Sequence, residues 1–429
     1  MRAVVDPIVS ALAGAMTGVF FRSVEVSHRE RIPRDAPLLI VANHVNSIAD
    51  PLLLMAFVEG RARMLAKSTL WSHPALGPLL VLAGALPVYR QRDAGQDVAK
   101  NLNTFRRCRE ELVRGGSIAL FPEGTSHNLP HRLPLKTGAA RIALETVAGQ
   151  PGSGLRILPV GLVYEAKGRF RSRVLINVGE PIDPEPLART FFEKAEGRPA
   201  VRRLTERIAA ELEAVTTSYE SWDEARLLNL ASAVIGDATL EERFRRSRAF
   251  LAAYREFRTR APERIAMVVK SVEQYEGHLR DLSLHDDDVA ASSERKRAWF
   301  ELAVNLPLGL MGGALNALPF IVTGWVTRRF SRTPDEPATY ILLTALLAFP
   351  ATWIGMGLVG AFFGGPMVGL LAAMIPPVTG SSALRLREAV RVLGQPQPTT
   401  GLKRERASLA ATIRGLAETA ARTPSDPSP

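Results

Sequence analysis

The residues best suited to do chemistry are a histidine and an aspartate in the run Asn43-His44-Val45-Asn46-Ser47-Ile48-Ala49-Asp50-Pro51. An imidazole takes a proton from a hydroxyl near neutral pH, and a neighbouring carboxylate fixes its tautomer and stabilises the imidazolium that forms. Asp50 has a second reading, because an aspartate before proline at the head of an apolar run is also a good helix N-cap. The two roles are compatible. A second run, Phe121-Pro122-Glu123-Gly124-Thr125-Ser126, offers a carboxylate, two hydroxyls and a glycine that lets a ligand approach the backbone. Arg132 and Lys136 follow it, and Leu86-Pro87-Val88-Tyr89-Arg90-Gln91-Arg92 supplies two arginines. These cations are solvated surface charge or, if the three runs converge, a pocket for a phosphate.

Each run lies where a strand is expected to end. Short apolar stretches at 37–41, 85–89, 117–121 and 157–163 read as strands. Between them, 51–57, 75–82, 97–113 and 139–147 read as helices; Val98, Leu102, Phe105 and Leu112 share one face, and Gly115-Gly116 ends that helix. Strands alternating with helices at this spacing predict an α/β domain, a mixed sheet with surrounding helices, whose site lies at the strand ends. Leu204, Ile208, Leu212 and Val215 mark an amphipathic helix that closes it.

The chain has 429 residues, a length that calls for more than one unit, and a net charge of +11. The excess of base points to a polyanionic partner. Nucleic acid is not expected, since no aromatic-interleaved basic patch or known module accompanies the charge. A single cysteine, Cys108, excludes a disulfide framework and a cysteine zinc site. The remaining histidines (His28, His73, His127, His131, His278 and His285) form no ligand spacing, so no metal is expected. Asp286-Asp287-Asp288 reads as a solvated loop rather than a metal site.

Apolar residues are segregated. Residues 299–326 and 340–378 form two apolar blocks, each broken by Pro and Gly, with Arg295-Lys296-Arg297, then Arg328, Arg329 and Arg332, then Arg385, Arg387 and Arg391 on their flanks. A span needs about 20 apolar residues, and positive flanks stay cytoplasmic, so each block is expected to enter and leave the membrane on the same side. The expected organisation is a helix at 1–30, membrane-apposed or packed on the protein's own core, with no signal-peptide layout, then the α/β domain at 31–217. A charged helical segment at 218–298, membrane hairpins at 299–380 and a polar tail at 381–429 follow.

In order along the chain, Asn-His-x5-Asp-Pro, Pro-Val-x-Arg, Phe-Pro-Glu-Gly-Thr-Ser and Ile157-Leu158-Pro159-Val160-Gly161 resemble the four motif blocks of the phospholipid/glycerol acyltransferase family. The likeness runs from about Phe21 to Leu212. The family usually has four residues between its His and Asp; the five here, with Ser126-His127-Asn128-Leu129-Pro130 and the apolar C-terminal region, resemble the glycerol-3-phosphate/dihydroxyacetone-phosphate acyltransferase branch. Ser126 stands where lysophosphatidate acyltransferases commonly carry an arginine.

The resemblance implies that His44 is the general base and Asp50 its orienting carboxylate. It also implies that Arg90, Glu123, Gly124, Thr125 and Ser126 bind the acceptor and that Pro159 shapes the acyl or acceptor site. Lys136 is a phosphate partner on charge grounds. The implied activity is transfer of a fatty acyl group from acyl-CoA, or from an acyl carrier protein, to glycerol 3-phosphate or dihydroxyacetone phosphate in phospholipid biosynthesis. No cofactor is needed, and the implied location is a membrane with the active site on its cytoplasmic face. A lysophosphatidate or other lysophospholipid acyltransferase is the alternative within the class. A non-catalytic lipid-binding membrane protein is the alternative outside it.

Overall fold

The computed structural model describes residues 2–74, 76–90, 98–188, 197–236, 239–290 and 294–422. They divide into an α/β unit, residues 1–218 with 330–343, and a helical unit, residues 219–329 with 344–429.

The α/β unit is built on a seven-stranded sheet. Its strands are β1 (Ser23–Ser27), β2 (Leu38–Ala42), β3 (Arg63–Lys67), β4 (Leu86–Val88), β5 (Ser117–Leu120), β6 (Arg156–Tyr164) and β7 (Arg173–Val178), in the order β1-β7-β6-β2-β5-β3-β4. Only β6 and β7 pair antiparallel. Every residue of β2 is buried, as its unbroken apolar run requires of a strand covered on both faces. Leu39 and Val41 face a layer made by α4 (Asn101–Val113), α5 (Gly138–Gly149) and α6 (Gly197–Val215), and Leu204, Ile208 and Leu212 of α6 lie in that core. Leu38, Ile40 and Ala42 face the opposite layer, made by α1 (Arg2–Phe20) and α2 (Ala49–Phe57), with Ala338 and Leu342 packed into it. α3 (Leu76–Leu82) lies between β3 and β4.

The four expected strands and the helices between them are present. β1, β3 and β7 were not legible, being five or six residues long with charged side chains among the apolar ones. Their presence moves the domain boundary. α1 is part of the α/β unit rather than an appendage, because Phe20 and Ala13 are buried in its core and Asp6 makes a two-point ion pair with Arg63 of β3 (2.8 and 2.9 Å). The outer stripe of α1, Val4, Ile8, Leu12 and Val19, stays exposed.

In the helical unit, α7 (Trp222–Val234), α8 (Leu240–Arg260), α9 (Pro262–Asp281) and the short α10 (Asp286–Ala290) share a core with α14 (Thr400–Arg422). The expected polar tail is therefore largely structured, since Leu402, Leu409 and Ile413 give α14 a buried face. Ser221 caps α7, and a Thr239–Glu242 capping box opens α8. Asp286 is neither solvated nor a metal ligand: it is buried against Tyr275 Oη and the guanidinium of Arg406 at 2.8 Å.

The apolar blocks form α11 (Glu294–Leu315), α12 (Ala317–Phe330) and α13 (Pro337–Gly394). α11 and α13 are long and apolar enough to cross a membrane, and their apolar side chains are largely exposed. α13 is a helical hairpin turning at Gly365 (φ 81°), the left-handed backbone that glycine adopts readily. The small residues Gly357, Gly360, Ala361, Gly369, Ala372 and Ala373 let its two arms touch, as in small-residue packing within membranes. Asn316, at the α11–α12 joint, ties the apolar helices together. Its amide donates to Gly312 O and Pro376 O, and its carbonyl accepts from Trp353 Nε1 at 2.9 Å.

A Cβ at Gly369 would lie 2.6 Å from Ala361 Cβ and 2.7 Å from Gly357 O, whereas one at Gly313 meets nothing within 4 Å. Gly369→Ala should therefore destabilise the detergent-solubilised protein by about 1–3 kcal/mol. Gly313→Ala should stabilise it by roughly 0.5–1 kcal/mol through higher helix propensity. Paired thermal melts check the opposite signs.

Candidate active site

β2 lies between β5 and β6 and is parallel to both, so the chain leaves all three strands at one edge of the sheet. Such an edge, where neighbouring connections diverge, is where open α/β sheets place their sites. Asn43 continues the ladder past the end of β2. Its side-chain amide donates to Leu162 O (3.0 Å) and accepts from Leu162 N (2.7 Å), doing the work of a backbone group. The next residue, His44, is thereby held at the sheet edge.

His44 Nδ1 is 2.8 Å from Asp50 Oδ2. A carboxylate accepts, so Nδ1 carries the proton and Nε2 keeps its lone pair. The imidazole stacks on Phe121, with ring centroids 4.0 Å apart and planes 11° from parallel. The His44 side chain retains 16% of its surface, enough for a substrate hydroxyl to reach it. Asp50 is fully buried in the first turn of α2, where the positive end of the helix favours a negative charge. It does not act as the N-cap; the helix begins at Ala49, and the Asp50 carboxylate turns back to accept from Val45 N and Asn46 N, both at 2.8 Å. Its other oxygen accepts from Tyr164 Oη at the end of β6. Burial, with the charge of Asp50 beside it, pushes the Tyr164 phenol well above its usual range, so it remains a donor.

Glu123 plays a different part from the one its motif implied. Its buried carboxylate accepts from His44 N (3.1 Å) and Leu133 N (2.9 Å) and pairs with His127 Nε2. His127 N in turn donates to His44 O. With three protein groups on its carboxylate, Glu123 braces the His44 loop against the 121–133 loop. Gly124 (φ 76°) makes the turn between them, and a Cβ there would meet Lys136 Cγ at 3.4 Å. Lys136 thus lies beside the motif, its backbone tied to Pro122 O at 2.7 Å. Thr125 Oγ1 donates to the neighbouring Ser126 O. Ser126 Oγ accepts from Ser47 N (3.2 Å) and donates to Asp335 Oδ2 (2.9 Å).

Other expected residues fall farther out. Arg90 follows β4, three strand places from β2, on the order of 14 Å away at normal strand spacing. Arg92 lies outside the described residues. Pro159 is buried within β6 opposite Val41, and its carbonyl accepts from Gly179 N. Arg132 turns away, donating to Ala209 O and pairing with Glu213, and burial lowers its pKa. Cys108 is buried in α4, with burial pushing its thiol up to about 12, and it packs in the core as filler. Among the described residues no group of three or more His, Cys, Asp or Glu is placed to hold a metal ion.

Four residues of the site carried no sequence signal strong enough to find them. Tyr164 and Lys167 lie beyond the fourth block, and Asn46 lies within the first, buried, with its amide on Lys167 O at 3.1 Å. Asp335 comes from a segment nearly 300 residues away from its partner Ser47. An arginine-sized charge step in the middle of a motif is visible in sequence; a contact over that separation is not.

Residues 23–163 match the family model Acyltransferase. The chain is 27% identical over 280 residues to Glycerol-3-phosphate O-acyltransferase 2 of Saccharomyces cerevisiae, covering 59% of this chain and 37% of that one. It is 30% identical over 154 residues to a 1-acyl-sn-glycerol-3-phosphate acyltransferase of Borreliella burgdorferi, covering 36% of this chain and 56% of that one. Among solved structures, the 1-acyl-sn-glycerophosphate (LPA) acyltransferase PlsC of Thermotoga maritima is similar, with 26% identity and a TM-score of 0.36 over 50% of this chain and 81% of that one. The chain spans less than half the length of the first curated relatives it matches. His44, Asp50, Phe121, Glu123 and Ser126 all fall inside the stretch that matches the Acyltransferase model.

Proposed function

We propose that the protein is an O-acyltransferase that moves a fatty acyl group from an acyl thioester, acyl-CoA or acyl carrier protein, to glycerol 3-phosphate or dihydroxyacetone phosphate. The observation that carries the reading is the His44–Asp50 pair, with its tautomer set and its ring accessible at a sheet edge. His44 Nε2 takes the proton of the acceptor hydroxyl as its oxygen attacks the thioester carbonyl. The C–O bond forms, the C–S bond breaks, and the imidazolium returns its proton to the leaving thiolate. No acyl-enzyme is required, so the buried Cys108 takes no part.

Support for a glycerol-phosphate acceptor comes from the yeast relative, from the five residues between His44 and Asp50, and from serine rather than arginine at position 126. The Borreliella relative favours the second reading, a lysophosphatidate acceptor. α11 and α13 support membrane association, with their exposed apolar side chains in lipid. The arginine-rich flanks support a cytoplasmic reading for the side on which the active site lies.

Membranes carrying the protein, incubated with labelled acyl-CoA, should acylate glycerol 3-phosphate or dihydroxyacetone phosphate in preference to lysophosphatidate and neutral lysolipids. His44→Ala and Asp50→Asn should each lower that rate by on the order of 10²–10⁴, the usual contribution of a general base and of its correct tautomer. Acylation that survives His44→Ala, or that uses lysophosphatidate alone, overturns the assignment. Tyr164→Phe leaves Asp50 with its other donors and should reduce kcat by about tenfold, the worth of one hydrogen bond to a charged group. The KM for the acyl donor should change little, as steady-state kinetics would reveal.

A further inference from the structure

The loop 331–336 joins α12 to α13, and Asp335 reaches from it into the site. Its Oδ2 lies 2.9 Å from Ser126 Oγ and 3.1 Å from Ser47 Oγ. Thr339, just beyond, accepts from Ile48 N at 3.4 Å, and Gly168 lies against Pro334 and Pro337. Ser47 is held at φ 42°, a left-handed conformation unusual for serine, while its N–H and hydroxyl both point to Ser126 Oγ at 3.2 Å. The carboxylate thus sits between two hydroxyls, one of which, Ser47, lies three residues along the loop from His44.

Lys167 completes the surroundings. Its carbonyl accepts from the Asn46 amide, and the half-buried residue lies in the field of Asp50, Asp335 and Glu123; burial lowers its pKa while those carboxylates oppose the shift. Burial also raises the pKa of Asp335, yet hydrogen bonds from Ser126, Thr333 and Ser47 bring it below the usual carboxylate range. Two hydroxyls on one anionic group, with a lysine charge in its field, make an anion site, and the anion in it is the chain's own.

A phosphate monoester and this carboxylate cannot share those donors. Two like charges in contact at a half-buried site repel strongly. The loop carrying Asp335 is a short turn between helices, held over the site by side-chain hydrogen bonds, so it can yield without breaking a helix or strand. We propose that Ser47, Ser126 and Lys167 receive the phosphate monoester of the acceptor and that Asp335 is its internal competitor, occupying the site until the acceptor displaces it. The inference deepens the proposed acyltransferase reading and rests on it for the identity of the acceptor, but the anion site is testable without turnover.

The test uses the full chain reconstituted in phosphatidylcholine vesicles, with inorganic phosphate, glycerol 3-phosphate and lysophosphatidate as separate ligands. Binding is measured by calorimetric titration, with circular dichroism melts as a check on folding. Asp335→Asn should bind inorganic phosphate at least tenfold more tightly than the parent, and Asp335→Ala, as a second variant, should do the same. Asp335→Glu should return affinity toward the parent value. Lys167→Gln should weaken phosphate binding tenfold or more, both alone and combined with Asp335→Asn. The KM of the accepted phosphate monoester should fall with Asp335→Asn, and comparison of glycerol 3-phosphate with lysophosphatidate identifies a soluble or lipid source. Weaker or unchanged phosphate binding in folded Asp335→Asn and Asp335→Ala overturns the proposal. Tighter phosphate binding with no acylation of either acceptor would uphold the internal competitor and remove the acyltransferase reading.

Discussion

A carboxylate buried without partners is among the most expensive things a fold can contain, and the active-site edge of this sheet is organised around removing that cost for Asp50. Four donors converge on it: His44 Nδ1, Val45 N, Asn46 N and Tyr164 Oη. Three of them belong to the loop between β2 and α2, so satisfying the charge also winds that loop into one shape. The fourth comes from the end of β6, which ties the loop to the neighbouring strand. Orientation of the His44 imidazole and folding of its loop are therefore coupled.

Glu123 repeats the device on the other side. Its buried carboxylate receives the His44 N–H, the Leu133 N–H and the His127 ring. The backbone of His44 is gripped through Glu123 and its ring through Asp50, while Phe121 covers one face of the ring. Asp50 reaches the histidine from within its own loop, and Glu123 reaches it because β5 lies beside β2 in parallel and ends at the same edge. Preorganisation of this kind lets a proton move without reorganising its surroundings. The helical unit solves a different problem: exposed Phe362 and Phe363 near the tip of the α13 hairpin suit lipid rather than water, whereas buried Asn316 binds its helices through hydrogen bonds.

Much of the α/β unit was legible. Buried central strands are continuous apolar runs and amphipathic helices repeat every three to four residues, so β2, β4, β5, β6, α2, α4, α5 and α6 stood out. Short strands with mixed side chains did not, and β1, β3 and β7 emerged only from pairing. The boundary at residue 31 and the polar tail after 380 misplaced α1 and α14 for a common reason: a helix with one apolar stripe reads as membrane-apposed or solvated until the surface it packs on is known.

For the site, sequence by itself determined the chemistry available: a histidine and an aspartate close enough to pair, a glutamate-glycine turn, and hydroxyls beside them. Local spacing is sufficient for that because the interacting groups lie within one loop or at the ends of adjacent apolar runs. Only tertiary structure decided which groups face a substrate and which hold the frame. It turned Glu123 inward as a brace, kept Pro159 inside the sheet, left Arg90 three strands away, and brought in Tyr164, Lys167 and Asp335. Those assignments depend on where chain segments far apart in sequence meet, and no periodicity or motif records a contact of that range.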